Sequence, residues 1–143
     1  MADTQLTSLE ICAGAGGQAL GLEKAGFHHA GAIEIEPIAC ETMRTNRGHW
    51  NVIQADLRAF DGKQFRGIDL LAGGVPCPPF SVAGKQLGED DGRDLFPVAV
   101  RLVREAKPDA VMLENVPGFA TAKFAAYRQK LMSQLERLGY QVD

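Results

Sequence analysis

Ser8-Leu9-Glu10-Ile11-Cys12-Ala13-Gly14-Ala15-Gly16-Gly17 is the stretch that decides the fold of this chain. Residues 8–12 read as a short apolar strand, and the glycines and alanines after them as a tight turn. Gln18 to Ala25 then carries Ala19, Leu20, Leu22 and Ala25 at helical spacing, and Gly26 stands where a C′ residue ends a helix. Strand, glycine turn and helix in that order present backbone N–H groups at a helix N-terminus, which suits an anionic or polar ligand. Tight turns also need glycine for steric reasons, so the stretch fixes a geometry before it fixes a ligand.

The residues downstream repeat the pattern. Ala30 to Ile35 reads as a second strand ending on Glu34, roughly 20 residues after the glycines, where nucleoside sites hold ribose hydroxyls. A Glu beside a helix start is also favourable simply through the helix dipole. Pro37 opens a helix that runs to Asn46. Val52 to Leu57 is a third strand closing on Asp56, a carboxylate able to accept from an adenine amino group, and Lys63 to Arg66 reads as a solvated connection. Ile68 to Ala72 is a fourth strand, and it empties into Gly73-Gly74-Val75-Pro76-Cys77-Pro78-Pro79-Phe80-Ser81. Prolines on either side of Cys77 forbid helix and stiffen the backbone. That suits a held nucleophile, although a buried cysteine in a proline-rich turn reads equally well from this stretch alone.

Residues 82–94 form a polar, glycine-bearing loop too long for a mere connection, which fits a binding loop or an unconstrained surface loop. Leu95 to Lys107 is a helix with Val98, Leu102, Val103 and Ala106 as its apolar stripe. Asp109 to Gly118 contains a fifth strand that ends on Glu114-Asn115. Parallel neighbours would bring Cys77 and Glu114 out at the same edge. Phe124, Tyr127, Leu131, Leu135 and Leu138 mark an amphipathic helix ending at Gly139, and Tyr140 to Asp143 begins a sixth strand. Strands alternating with helices predict an α/β fold: a doubly wound, mostly parallel, Rossmann-like sheet in one domain, residues 1–143.

Composition bounds the function. Hydrophobic residues make up 45% of the 143 and charged residues 23%, the balance of a soluble globular domain with a real core. A net charge of −3 argues against a free-standing nucleic-acid binder, which carries a basic face. No apolar run approaches the ~18 residues of a membrane span. The N-terminus lacks a signal-peptide pattern, so a cytoplasmic protein without membrane contact is expected. Cys12, Cys40 and Cys77 are odd in number and widely spaced, and His28, His29 and His49 sit in loop-like contexts without ligand spacing. Neither a disulfide framework nor a metal site is expected.

With these residues in place, the chain from about Leu9 to Val142 resembles the amino-terminal half of the S-adenosylmethionine-dependent cytosine-5 methyltransferases, mostly DNA-modifying enzymes. The 9–17 stretch with Gly21 and Ala25-Gly26-Phe27 is similar to the family's first motif, and Gly74-Val75-Pro76-Cys77 with Phe80-Ser81 to its Pro-Cys motif. Glu114-Asn115-Val116 matches its Glu-Asn-Val motif. Gly84-Lys85-Gln86, Arg93 and Leu95-Phe96 resemble its mobile catalytic loop and the helix after it. The resemblance implies that Ala13, Gly14, Gly16 and Gly17 cradle S-adenosylmethionine, which leaves as S-adenosylhomocysteine. It implies that Glu34 holds the ribose and that Ile35, Asp56 and Leu57 face the adenine. Pro76, Cys77, Glu114 and Asn115 are implied as catalytic, with Ser81, Lys85, Gln86 and Arg93 on the DNA-facing loop and no metal involved. In this chemistry a thiolate adds to cytosine C6, C5 takes the methyl group, and loss of the C5 proton expels the thiolate. An acid at N3 eases the addition, and a base stacked in duplex DNA must be flipped out to be reached.

The chain departs from the family pattern at Pro78, where many members have Gln, at Cys12, often Phe, and at Ile35, often bulkier. Cys12 and Cys40 are read as structural. Members normally continue with an arginine-bearing motif, a target-recognition domain and a last motif that completes the cofactor pocket. The resemblance therefore implies a second polypeptide or a missing C-terminal half, a bare edge on the fifth strand, and little or no activity for these residues alone. An RNA cytosine-5 methyltransferase and a non-catalytic cofactor-binding subunit of a split enzyme are the alternatives. A nicotinamide-dependent oxidoreductase has no use for the Pro-Cys element.

Overall fold

Alternation along the strands sorts the core into two layers. Leu9, Ile11 and Leu71 are fully buried on one face of the sheet, and Ala32 and Ala72 are fully buried on the other. The computed structural model describes residues 5–76 and 93–143. It contains strands β1 (Thr7–Ile11), β2 (His28–Glu34), β3 (Val52–Gln54), β4 (Leu70–Gly74) and β5 (Ala110–Glu114). They form one all-parallel sheet in the order β3-β2-β1-β4-β5. Helices α1 (Gly17–Lys24) and α2 (Pro37–Asn46) contribute Ala19, Leu22 and Met43 to the clusters on the alanine face. Helices α3 (Phe96–Ala106) and α4 (Ala125–Arg137) contribute Phe96, Val100, Leu102, Val103 and Leu135 to the larger cluster on the Leu9 and Ile11 face. This is the doubly wound architecture expected from the sequence, with its reversal of strand order between β1 and β4.

Local chemistry explains the element ends. Pro37 opens α2 and Pro97 lies in the first turn of α3, positions where a missing N–H costs nothing. The buried Asp94, just before the N-cap Leu95, braces the start of α3, its Oδ1 accepting the Phe96 N–H at 3.0 Å while Oδ2 accepts the Tyr127 hydroxyl from α4. At Gly73 a side chain is impossible without movement: an added Cβ would lie 2.5 Å from both the carbonyl oxygen and Cγ1 of Ile11. Glycine thus lets β4 lie tight against β1 at the end where the site opens.

Several boundaries differ from expectation. β2 begins at His28, so His28 and His29 lie on a strand rather than a loop, and His29 is buried. β3 stops at Gln54, and β4 is shifted so that Ile68 packs ahead of it as core. Lys63 to Arg66, expected as a solvated connection, is exposed at Lys63, Gln64 and Arg66 but includes most of a 3-10 turn over Gly62–Phe65, whose Gly62 N–H donates to Glu105 Oε2 at 2.8 Å. Residues 140–143 are not a strand. Tyr140 instead donates its hydroxyl to the Pro108 carbonyl at 2.7 Å, and Val142 packs on the core. A strand needs a ladder partner, and among the described residues nothing pairs with the outer edge of β5.

Candidate functional site

The glycine turn leaves β1 through three residues with positive φ, Cys12 at 52°, Gly14 at 55° and Gly16 at 90°. Such a left-handed run is accessible to glycine and strained for Cys12. The turn is tied to β2 by the Ala13 N–H on the Ile33 carbonyl at 3.0 Å. A second tie is the Gly14 N–H on Glu34 Oε2 at 2.7 Å. Glu34 Oε1 accepts the N–H groups of Ile35 at 2.8 Å and Glu36 at 2.9 Å. Three backbone donors therefore fix this carboxylate at the carboxyl end of β2. A Cβ added at Gly14 or Gly17 would meet nothing within 4 Å, so both glycines border open space.

Beside the turn lies a cavity of about 230 Å³ at the carboxyl ends of the strands. Its walls include Cys12, Glu34, Ile35, Asp56, Arg58 and Pro76. Ile35 is half exposed and offers an apolar face. Asp56 Oδ1 accepts the Arg58 N–H at 2.9 Å and its guanidinium at 3.3 Å, while Oδ2 has only a 3.5 Å approach from Arg58. Leu57 lines the cavity but is also core, and its carbonyl accepts from Arg101 at 2.7 Å. Burial, reinforced by Glu34, pushes the Cys12 thiol up to about 12. Cys12 is thus a neutral part of the wall.

Glu114 emerges beside Gly74, its partner in the β4–β5 register. The carboxylate leans across that glycine, with Oε2 3.2 Å from where a Cβ would stand. Asn115 staples the two strand ends, its Nδ2 donating to the Val75 carbonyl at 2.8 Å and its Oδ1 accepting the Val116 N–H at 2.9 Å. Cys77, Ser81, Lys85 and Gln86 lie outside the described residues. Arg93 is exposed just ahead of α3.

The structure thus gathers Glu34, Ile35, Asp56, Leu57 and Pro76 around one cavity, with Gly14, Gly16 and Gly17 on the adjoining turn. Ala13 is buried behind that turn, in a cluster with Ala19, Ala32, Met43 and Trp50. Asn115 instead lines a separate, mainly apolar cavity of about 370 Å³ between β5 and α4. Sequence reasoning missed Arg58 and Leu95 as walls. The Asp-x-Arg spacing at 56–58 could have suggested the first of these. Among the described residues, no three His, Cys, Asp or Glu side chains are grouped to hold a metal ion, and no helix is long and apolar enough to cross a membrane.

Comparison with known proteins accords with this geometry. The C-5 cytosine-specific DNA methylase family matches residues 6–143. The Type II methyltransferase M.NgoMIV of Neisseria gonorrhoeae is 65% identical over 95% of this chain and 44% of its own length. M.NaeI of Lentzea aerocolonigenes is 54% identical over 94% of this chain and 33% of its own length. The chain therefore spans less than half the length of either relative. Among solved structures, a prophage-encoded Escherichia coli protein assigned as a DNA modification methyltransferase superposes with a TM-score of 0.75 at 29% identity. That match covers 92% of this chain and 38% of the other. Spodoptera frugiperda DNMT2 shares the fold with a TM-score of 0.72 at 22% identity, over 92% of this chain and 40% of its own. By its match across residues 6–143, the chain belongs to the C-5 cytosine-specific DNA methylase family.

Proposed function

We propose that this chain supplies the cofactor-binding and cysteine-bearing part of a DNA cytosine-5 methyltransferase acting on a cytosine flipped out of double-stranded DNA. The observation that carries this reading is the convergence at one sheet edge of the Glu34-tied glycine turn, Asp56, and the paired ends of β4 and β5. Glu114 lies across Gly74 there, three residues before Cys77. The names of M.NgoMIV and M.NaeI, both methyltransferases, support it.

The donor set fits S-adenosylmethionine. A carboxylate has about four lone-pair directions, and three on Glu34 are taken by backbone N–H groups. One direction is left for a ribose hydroxyl. Asp56 Oδ2 is open to an adenine amino group, Ile35 offers its apolar face to the ring, and the space at Gly14 and Gly17 admits a ligand that a Cβ would block. When bound, S-adenosylmethionine supplies a methyl group on an electrophilic sulfonium and leaves as S-adenosylhomocysteine.

The chain's residues do the rest. The Cys77 thiolate forms a bond to C6 of cytosine, and electron density moves to C5 as Glu114 places a proton at N3. C5 would then bond to the methyl carbon as the methyl–sulfonium bond breaks. Loss of the C5 proton to a base returns the electron pair and breaks the sulfur–C6 bond, which frees Cys77, and the N3 proton goes back to Glu114. Asn115 keeps the β4 and β5 ends in register so that Cys77 and Glu114 address one ring. Ser81, Lys85, Gln86 and Arg93 belong to the segment that faces DNA. Target recognition falls to the further length that the relatives possess, on the same or a second polypeptide, and residues 1–143 alone turn over poorly. The site of action is the cytoplasm, and no metal takes part.

The test is transfer of labelled methyl from S-adenosylmethionine to duplex DNA by the full-length protein, followed by nucleoside analysis. The expected product is 5-methylcytosine, with Glu114→Gln slower by about 100-fold or more. Label in another base, or in RNA but not DNA, contradicts the proposal.

A further inference from the structure

Trp50 lies outside the cavity, yet it touches the turn on which cofactor binding depends. The residue is 8% exposed, and its indole meets groups from both ends of α1. At the N-terminal end, a Cβ built on Gly16 would lie 2.8 Å from Trp50 Cζ3 and 3.0 Å from Met43 Cγ. At the C-terminal end, Trp50 Nε1–H donates to Glu23 Oε1 at 2.9 Å, one residue before α1 finishes. Glu23 is itself gripped by Arg47 Nε at 3.1 Å and His49 Nε2 at 2.6 Å. These contacts, the indole N–H foremost, hold its carboxyl down at about 2.

The His29 ring packs edge-on to the indole with centroids 4.8 Å apart. Its Nε2 lies 2.9 Å from the Ala19 carbonyl in the first turn of α1, and its Nδ1 lies 2.9 Å from Ser8 Oγ. Burial favours the neutral ring, so Nε2–H donates to Ala19 and Nδ1 accepts from Ser8. The start of α1 has no side-chain cap at Gly16. Its position therefore depends on what packs behind it, and the Trp50 indole is the stiffest group there.

We propose that Trp50 is a positioning residue for the cofactor's amino-acid tail: wedged between Glu23 and Gly16, it sets the glycine turn so that the N–H groups opening α1 face the tail carboxylate. The inference rests on the reading of this turn as part of an S-adenosylmethionine site. The partial positive charge of a helix N-terminus favours a carboxylate, and the advantage fades within a turn of the helix. A small displacement of Gly16 therefore weakens the hold on the tail. The adenosine half is met by Glu34, Ile35 and Asp56, whereas the indole's hydrogen bond goes to Glu23 and its ring contacts are with His29 and His49.

Two ligands separate the halves. S-adenosylhomocysteine carries the amino-acid tail, and 5′-methylthioadenosine has the same adenosine thioether without it. Dissociation constants for both are measured on the full-length protein, on Trp50→Leu and on Glu23→Gln. Trp50→Leu is expected to weaken S-adenosylhomocysteine about tenfold while 5′-methylthioadenosine stays within about twofold. Glu23→Gln, which keeps the indole, shows a smaller loss with the same selectivity, and it carries the test by itself if Trp50→Leu does not fold. Equal losses for the two ligands, or no loss for either, overturn the inference while leaving the cofactor site standing. A parent protein that binds neither ligand overturns the cofactor site and this inference with it.

Discussion

Glu10 sits in the middle of β1, flanked in the sheet by Ala32 and Ala72, with 1% of its surface exposed. Its Oε2 has no hydrogen-bond partner among the described residues. Burial raises its carboxyl to about 7, against a weaker downward pull from the Ala19 backbone N–H. The folded state therefore keeps a proton that the unfolded chain loses near pH 4.5, and folding stability must fall as pH rises between those values. The loss amounts to up to ~3 kcal/mol and levels off above pH 7. Denaturant unfolding from pH 4.5 to 8 should show this slope, and Glu10→Gln should flatten it. Glu34, by contrast, is held by three backbone N–H donors. Glu34→Gln leaves one oxygen where three N–H groups now bind, so cofactor affinity should drop about tenfold or more by calorimetry.

At the scale of elements, the close pairing of β4 with β1 and the stapling of β4 to β5 are what hold the site edge together. Gly73→Ala forces a Cβ into Ile11 and should cost ~3 kcal/mol in unfolding free energy. Asn115→Ala strips the Val75 carbonyl of its donor and should cost about 1–3 kcal/mol, with a larger fall in kcat than in cofactor affinity. The alternating elements, the glycine turn and the acids ending β2 and β5 were legible because each rests on a local pattern: apolar periodicity, glycine clusters, Pro37 at a helix start. What was not legible depends on distant partners. His29 looked like a loop residue because its neighbours Ser8 and Ala19 are remote in sequence. The 3-10 turn over Gly62–Phe65 gave no sign because Glu105, which accepts the Gly62 N–H, lies 43 positions away. The 140–143 stretch has the composition of a strand, but composition does not supply the ladder that makes one. Trp50 gave no sign of touching Gly16, since that contact exists only once the residues after α2 pack behind the glycine turn.

At the scale of the molecule, the parallel sheet directs all five strands toward one edge, where the glycine turn after β1 meets the ends of β2, β3, β4 and β5. The opposite flank is less complete. Met112 on β5 is 41% exposed on the alanine face, and on the other face of β5 an apolar cavity is bordered by Val111, Leu113, Phe119 and Leu131. Under the proposed function, the further length found in relatives packs here and supplies the basic surface that a chain of net charge −3 does not carry. Hydrogen exchange at the β5 amides should accordingly be slower in the full-length protein than in residues 1–143 alone. The central claim is that Cys77 attacks C6 of a flipped cytosine. Its most direct test is incubation of the full-length protein and S-adenosylmethionine with duplex DNA carrying 5-fluorocytosine at the target base. Fluorine at C5 cannot leave as a proton does, so the predicted result is a denaturation-resistant complex, mapped by mass spectrometry to Cys77 and absent in Cys77→Ser. Methylation of ordinary cytosine without any such complex, or a complex that persists in Cys77→Ser, would contradict it.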